Sequence, residues 1–338
     1  MRTRHSDGST VDLSALLRAD DLPSYLRAGG LAPADAQITV TPLGGGISGV
    51  VLHARWDSGE VVVKQPMAAL AVEDDWPFNR ERALIERDCM LLIAERIPGA
   101  APSVVFCDEQ RLVLGMTAAP EGGVIWRDEH DAGVADPQRT ELAASLLAQL
   151  HRLTAYDDGV QRTFAAQWPL IEGRIDPYHR TVALRHPDLA ERIDEEVERL
   201  LATRRCLVHG DFSPKNLIAY PDRMVMLDFE VAHWGDPAFD VAFLLALVML
   251  DGIRHRSQAF FDEAVRFWDL YQRDAGPAGA ESRDVIAELG CIMLARIDGK
   301  SRLASLDERS ADRGRAQARA LLNDLRDASL EKALRTCL

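Results

Sequence analysis

Cysteine is sparse in this 338-residue chain: Cys89, Cys107, Cys206, Cys291 and Cys337 are widely spread and never form a C-x-x-C pair. That argues against a disulfide framework or a thiolate zinc site and fits a reducing cytoplasm. Long apolar runs are also missing. The longest, Val241 to Leu250, has ten residues, against roughly 20 for a membrane-spanning helix, so it reads as a buried core helix. The first residues, MRTRHSDGSTVDLS, hold no apolar stretch able to serve as a secretory leader. Basic residues are outnumbered, 39 Lys+Arg against 53 Asp+Glu, for a net charge of −14. A chain this acidic is a poor partner for nucleic acid or an anionic membrane, although a local basic pocket for a nucleotide is compatible with it.

With 47% apolar and 27% charged residues the chain is an ordinary globular one. Its length suggests two domains, or one domain built from two lobes. Residues 1–36 read as a polar lead-in with one or two short helices. Strand patterns begin at Ile38. ITVTPL leads into a glycine cluster, VVLHARW alternates with period two, Asp57-Ser58-Gly59 marks a turn, and Glu60 to Lys64 returns. An amphipathic helix is expected over 79–96, stopped by Pro98-Gly99, then strands over 104–107 and 112–116. Residues 117–123 read as a hinge. Beyond it the pattern is mostly helical: 139–153, a helix opened at Asp188 by a capping box with Glu191 and running to about 203, then 241–251, 257–273, 282–296 and 311–334. Short β-rich pieces at 206–209 and 224–227 bracket a polar loop. The expected architecture is α+β, with a small antiparallel-sheet N-lobe over 37–119 and a larger helical C-lobe over 120–338.

Gly44-Gly45-Gly46-Ile47-Ser48-Gly49 fits G-x-G-x-x-G. A dinucleotide fold would need a helix after this loop and an acid ending the next strand. Here a strand follows, and the next strand ends in Lys64. A kinase-type loop lies between two strands and covers phosphates with backbone N–H groups. Gly44, Gly46, Ser48 and Gly49 are therefore candidate nucleotide contacts. Lys64 would hold the phosphates as a point charge, orientated by a glutamate of the next helix. Glu86 is the first choice for that partner and Glu81 the second.

The strongest stretch is Leu207-Val208-His209-Gly210-Asp211-Phe212-Ser213-Pro214-Lys215-Asn216-Leu217, followed by Met226-Leu227-Asp228-Phe229-Glu230. Phosphoryl transfer to a hydroxyl needs one carboxylate to orient the hydroxyl and take its proton. It also needs an amide and a carboxylate to hold Mg²⁺ against the nucleotide oxygens. Asp211, Asn216 and Asp228 match that kinase template in type, order and spacing. Lys215, in the same loop, is a candidate for neutralising charge on the transferring phosphoryl group. His209 reads as a packing residue and His151 as core-facing. The acid-dense run Glu191 to Glu198 reads as a solvated face. No H-E-x-x-H is present, and Val50 spoils any G-x-S-x-G elbow.

HGDFSPKN at 209–216, LDFE at 227–230 and GDPAFD at 235–240 together resemble the aminoglycoside phosphotransferase family, the wider group that includes choline kinase and methylthioribose kinase. The resemblance covers roughly residues 38–250. It implies a protein-kinase-like two-lobed fold and an enzyme that uses ATP or GTP with Mg²⁺ on a small-molecule hydroxyl. Carried over, Asp211 is the catalytic aspartate, Asn216 and Asp228 the metal ligands, and Lys64 with Glu86 the phosphate-binding pair. Asp240 would brace the catalytic loop, with N-capping of the 241–251 helix as the plainer role. Glu230 would either touch a second metal or bond a neighbour. Backbone at 117–119, taken as Thr117 and Ala119, would meet the base. The helices after 250 and the 188–203 helix would wall an acceptor pocket whose acid favours an amine-bearing acceptor. The alternative is a nucleotide-binding pseudokinase acting as a scaffold.

Overall fold

The computed structural model describes residues 16–44, 47–326 and 328–336, with the paired strand backbone of Arg2–Arg4 and Thr10–Asp12. Gly46 of the glycine loop and Cys337 lie outside the described residues. Five antiparallel strands form the N-terminal sheet, in the spatial order Thr39–Pro42, Gly49–Trp56, Gly59–Pro66, Val113–Met116, Val104–Asp108. Trp56 pairs with Gly59, so Asp57 and Ser58 alone make the hairpin turn. The β-branched run Val61-Val62-Val63 is buried on both faces. One face packs with Leu17, Leu22, Leu26 and Val113, the other on the main core.

The helix expected over 79–96 spans Arg82–Arg96. It starts later because the Asn79 side chain accepts the Glu81 N–H at 3.0 Å, which holds residues 79–81 in a turn. The C-terminal region is mostly helical, and it is centred on Ala238–His255, whose first sixteen residues are buried. Gln258–Ala275 and Ser282–Asp298 pack on it, and Pro137–Thr154 packs on Gln258–Ala275. Two readings need correction. The single helix expected over 311–334 is two, Glu308–Asn323 and Leu330–Thr336. Ser329 starts the second, its Oγ accepting the Lys332 N–H at 3.3 Å. Asp188 does not cap Ala190–Ala202. Its carboxylate is paired instead with Arg319, a long-range ion pair winning over a local cap.

Two short strand pairs carry the central loops. Cys206–Val208 pairs with His233–Gly235, and Leu217–Ala219 with Met224–Met226. A segment without a distinctive sequence pattern, Ile171–Arg180, forms a π-helix with Pro177 inside it. A wider turn relieves the clash a proline ring makes with the preceding turn of an α-helix. Among the described residues, no helix is long and apolar enough to cross a membrane.

Candidate active site

Ten of the twelve expected site residues line a cavity of about 570 Å³ between the sheet and the helical region. Gly46 is outside the described residues. Gly49 is not on the wall: it opens the strand opposite Pro66, where a Cβ would stand 2.6 Å from the Gln65 carbonyl oxygen. Its lack of a side chain serves the sheet, while Gly44 and Ser48 face the cavity.

Lys64 reaches out from the strand Gly59–Pro66. Its Nζ lies 2.8 Å from Glu86 Oε2, 2.5 Å from Asp228 Oδ1 and 3.6 Å from Glu230 Oε2. That settles the partner as Glu86, since Glu81 stands at the start of the helix. Burial alone would favour a neutral amine, but three carboxylates outweigh it and hold the Lys64 pKa well above its usual value. Burial pushes Glu86 upward, helped by the neighbouring Asp228 and Glu230. Burial likewise opposes charge on Asp228, yet Lys64 and Lys215 prevail and hold it below the usual carboxylate range. Asp228 itself has φ +68°, a conformation rare outside glycine, asparagine and aspartate and often found at functional sites.

Arg82 is a residue the sequence reading missed. It is fully buried and donates to the Ser48 carbonyl at 2.6 Å, Met67 at 2.8 Å and Phe78 at 2.7 Å. Its Nε sits 3.2 Å from Glu230 Oε2. Glu230 therefore bonds neighbours, and its Arg82 link ties the end of the glycine loop to the Asp228 segment.

Asp211 sits in the loop after Cys206–Val208. Lys215 Nζ is 2.8 Å from its Oδ2, Asn216 Nδ2 donates to the same oxygen at 2.8 Å, and Arg174 Nη2 is 3.1 Å from Oδ1. Burial raises the Asp211 pKa, but Lys215 and Arg174 outweigh it and the carboxyl is held below its ordinary value. Arg174 comes from the π-helix and was also missed. It is 5% exposed, and its Nε donates to the Gly210 carbonyl at 2.7 Å. Gly210 has φ +77°, and a Cβ there would stand 2.6 Å from the Val231 carbonyl oxygen, so both conformation and space demand glycine. Behind the loop, the fully buried Asp240 accepts the His209 N–H at 2.7 Å and the Gly210 N–H at 2.8 Å. It braces the loop and lies inside its helix rather than at the cap. His151 Nε2 is 3.2 Å from the Asp240 carboxylate, and His209 packs on the Phe229 ring at 4.7 Å. Both histidines are core residues. Lys64 and Lys215 are two of only four lysines in the chain.

The expected acceptor walls are elsewhere. Ala190–Ala202 does not touch the cavity, and beyond residue 250 only Ser301 does among the described residues. Its acids Glu191, Asp194, Glu195 and Glu198 face solvent, while Glu196 is buried against Arg199. The wall near Asp211 is built instead from Trp76, Phe78, Arg174 and Tyr178.

The sequence profile of the phosphotransferase enzyme family matches residues 39–283. The chain belongs to this family. It is 26% identical over 266 residues to methylthioribose kinase 2 of Oryza sativa subsp. japonica, covering 69% of this chain and 62% of the relative. It therefore spans about three fifths of the length of that relative. A methylthioribose kinase of Bacillus cereus is 22% identical over 355 residues, covering 87% of each chain. Among solved structures, choline kinase of Cryptosporidium parvum Iowa II superposes with a TM-score of 0.61 at 10% identity, covering 94% of this chain and 100% of the other. A thermostable mutant of an aminoglycoside phosphotransferase, in complex with AMP-PNP and hygromycin B, gives a TM-score of 0.52 at 15% identity, covering 89% and 98%. The fold of this family member is thus the α+β kinase-like one.

Proposed function

We propose that this protein transfers the γ-phosphoryl group of ATP, or of GTP, to a hydroxyl of a small molecule. The observation that carries the reading is the Asp211 carboxylate, buried, facing the cavity and held by Arg174, Lys215 and Asn216. In that setting Asp211 accepts the acceptor's O–H as a hydrogen bond and takes its proton as the new P–O bond forms. The bond from the γ-phosphorus to the bridging oxygen breaks, and the nucleoside diphosphate leaves. Lys215 and Lys64 face the charge on the transferring group and the nucleotide. The 37–119 unit would hold the nucleotide, with Gly44 and Ser48 over the phosphates. The 120–338 unit would supply the catalytic loop and the acceptor side. The Thr117 N–H is bonded to the Ser103 carbonyl at 2.9 Å. That leaves the Thr117 carbonyl and the Ala119 N–H for the base edge.

Asn216 and Asp228 fit a magnesium ion. The Asn216 Nδ2 is occupied by Asp211, so its amide oxygen and the Asp228 carboxylate, both on the cavity wall, would make an all-oxygen donor set suited to a hard cation. When bound, the ion would neutralise phosphate charge. The methylthioribose kinases among the relatives support an acceptor of modest size, such as a thiosugar. The test is incubation of purified protein with Mg·ATP or Mg·GTP and a library of hydroxyl compounds, read by mass spectrometry. A product heavier by one phosphoryl group supports the reading. Nucleotide binding without transfer to any member would leave a binding module in its place.

A further inference from the structure

Cations gather at the end of the cavity around Asp211. Arg174 and Lys215 both sit on the Asp211 carboxylate. A third cation stands behind the wall: Arg296 Nη1 donates to the Tyr178 hydroxyl at 3.1 Å and to Ser301 Oγ at 2.6 Å, and both of those side chains line the cavity. Among the described residues, Arg296 has no carboxylate within ion-pair distance, and its Nε is buried with no hydrogen-bond partner. Arg174 and Lys215 are answered by Asp211 and by the nearby Asp228, which leaves Arg296 as the cation of this end without a carboxylate of its own among the described residues. Burial ordinarily raises a phenol's pKa, yet Arg296 and Arg174 bring that of Tyr178 below its usual value. Glu172 and Asp176, the acids on the same helix as Tyr178, do not line the cavity. Glu172 accepts the Asn79 N–H at 2.8 Å, and Asp176 is paired with Arg180 at 2.5 Å. The apolar part of this end is Trp76 and Phe78. The Trp76 ring stands 6.2 Å from that of Tyr178, and its indole N–H is taken by the Glu172 carbonyl at 2.9 Å. It offers the cavity carbon alone.

We propose that the acceptor carries no cationic group: it is an uncharged or anionic hydroxyl compound that turns oxygen atoms toward Tyr178 and Ser301 and an apolar part toward Trp76 and Phe78, with Arg296 as the positioning residue that sets the preference. This rests on the transfer reading above and reverses the expectation of an amine-bearing acceptor. An ammonium group entering here meets the uncompensated charge of Arg296 at low dielectric, whereas an oxygen acceptor finds donors already aimed at it.

The experiment compares acceptors that differ in charge and little else: glucose, glucosamine and glucuronate, and 3,3-dimethylbutan-1-ol against choline, each with Mg·ATP. The expected result is a kcat/KM at least about tenfold higher for the uncharged or anionic member of each set, the effect of one like charge left uncompensated. Preference for glucosamine over glucose, or for choline over its carbon isostere, overturns the inference while leaving phosphoryl transfer standing. Transfer to no member of a wider hydroxyl library overturns the transfer reading and this inference with it. Arg296→Gln should raise the acceptor KM and narrow the charge ratio by at least about threefold, with the KM for ATP within about twofold. Arg296→Lys should restore the ratio. An unchanged ratio in Arg296→Gln removes that residue from the assignment.

Discussion

Lys64 Nζ stands 2.8 Å from Glu86 and 2.5 Å from Asp228, so one ammonium joins the central strand, the helix behind it and the proposed metal-binding segment. The pairing divides one positive charge between the helix carboxylate of Glu86 and the carboxylate proposed to hold the metal. Removing the charge of Glu86 shifts the balance: Lys64 would lean wholly on Asp228 and Glu230 and compete harder with a divalent cation. Glu86→Gln should therefore raise the Mg²⁺ concentration needed for half-maximal turnover by about tenfold, with a smaller change in kcat at saturating Mg²⁺. A magnesium titration of initial rates checks it. An unchanged midpoint would mean that Asp228 does not hold the metal.

At Asp211 two substitutions separate chemistry from positioning. Asp211→Asn should leave ATP affinity within a few-fold and lower kcat by at least about 10²-fold, as expected for loss of a positioned base. Arg174→Lys keeps the charge but loses the planar fork that reaches Gly210, Gly173 and Asp211 together. The expected loss is about tenfold or more in kcat with little change in the KM for ATP. Calorimetry with AMP-PNP beside steady-state kinetics distinguishes the two. Near wild-type turnover in Asp211→Asn would remove it from the chemistry.

These sites differ in how far the sequence exposes them. Asp211, Asn216 and Asp228 lie within one short stretch at spacings that phosphoryl transfer imposes, so local pattern is enough. Lys64 and Glu86 are legible through strand and helix periodicity. Arg82, Arg174 and Arg296 are not, since nothing about an isolated arginine in a helix tells which distant carbonyl or hydroxyl it will reach. Arg174 also depends on a π-helical turn that has no simple period. The glycine at 49 is ambiguous for a related reason: close approach of a loop to phosphate and close approach of two strands both demand a missing side chain. Helix lengths were recovered well in Gln258–Ala275 and Ser282–Asp298, expected over 257–273 and 282–296, but Ala238–His255 was expected only over 241–251, and before Leu330 one serine, Ser329, outweighs the run of helix formers.

Glu263 gives a pH-dependent test away from the site. It is 4% exposed, Thr140 Oγ1 donates to it at 2.5 Å, and its second oxygen has no hydrogen-bond partner, 3.9 Å from His130 Nε2. Burial, with the nearby Asp251, Asp136 and Glu129, pushes its pKa up to about 8, from an ordinary 4.5. The folded form therefore binds this proton more tightly than the unfolded one. The stability gained is complete below about pH 4.5 and fades as pH rises toward 8. Glu263→Gln, neutral throughout, should match wild type in Tm near pH 5 and exceed it by about 2–4 °C near pH 8.5. Scanning calorimetry across that range checks it, and parallel curves for the two proteins would contradict the assignment.

The last prediction concerns control. Residues 229–239 follow the Asp228 carboxylate, and protein kinases use the corresponding stretch as an activation loop that carries a phosphosite and docks a peptide. Here every one of these residues is buried, and His233–Gly235 is a strand paired with Cys206–Val208. Ser, Thr and Tyr are absent from the segment. A buried strand bonded to the catalytic loop offers neither a hydroxyl to modify nor an edge for an extended substrate, and refolding it would break the packing of Phe229 on His209. The protein should therefore be active as synthesised. Turnover of unmodified recombinant protein should change by less than about twofold after phosphatase treatment, since no charge-paired switch is available to lose. Peptides and proteins should remain unlabelled by γ-labelled ATP while a small alcohol is labelled. Strong labelling of peptides with no transfer to any small hydroxyl compound would sink the idea, because it would require a docking surface where the structure has a closed core.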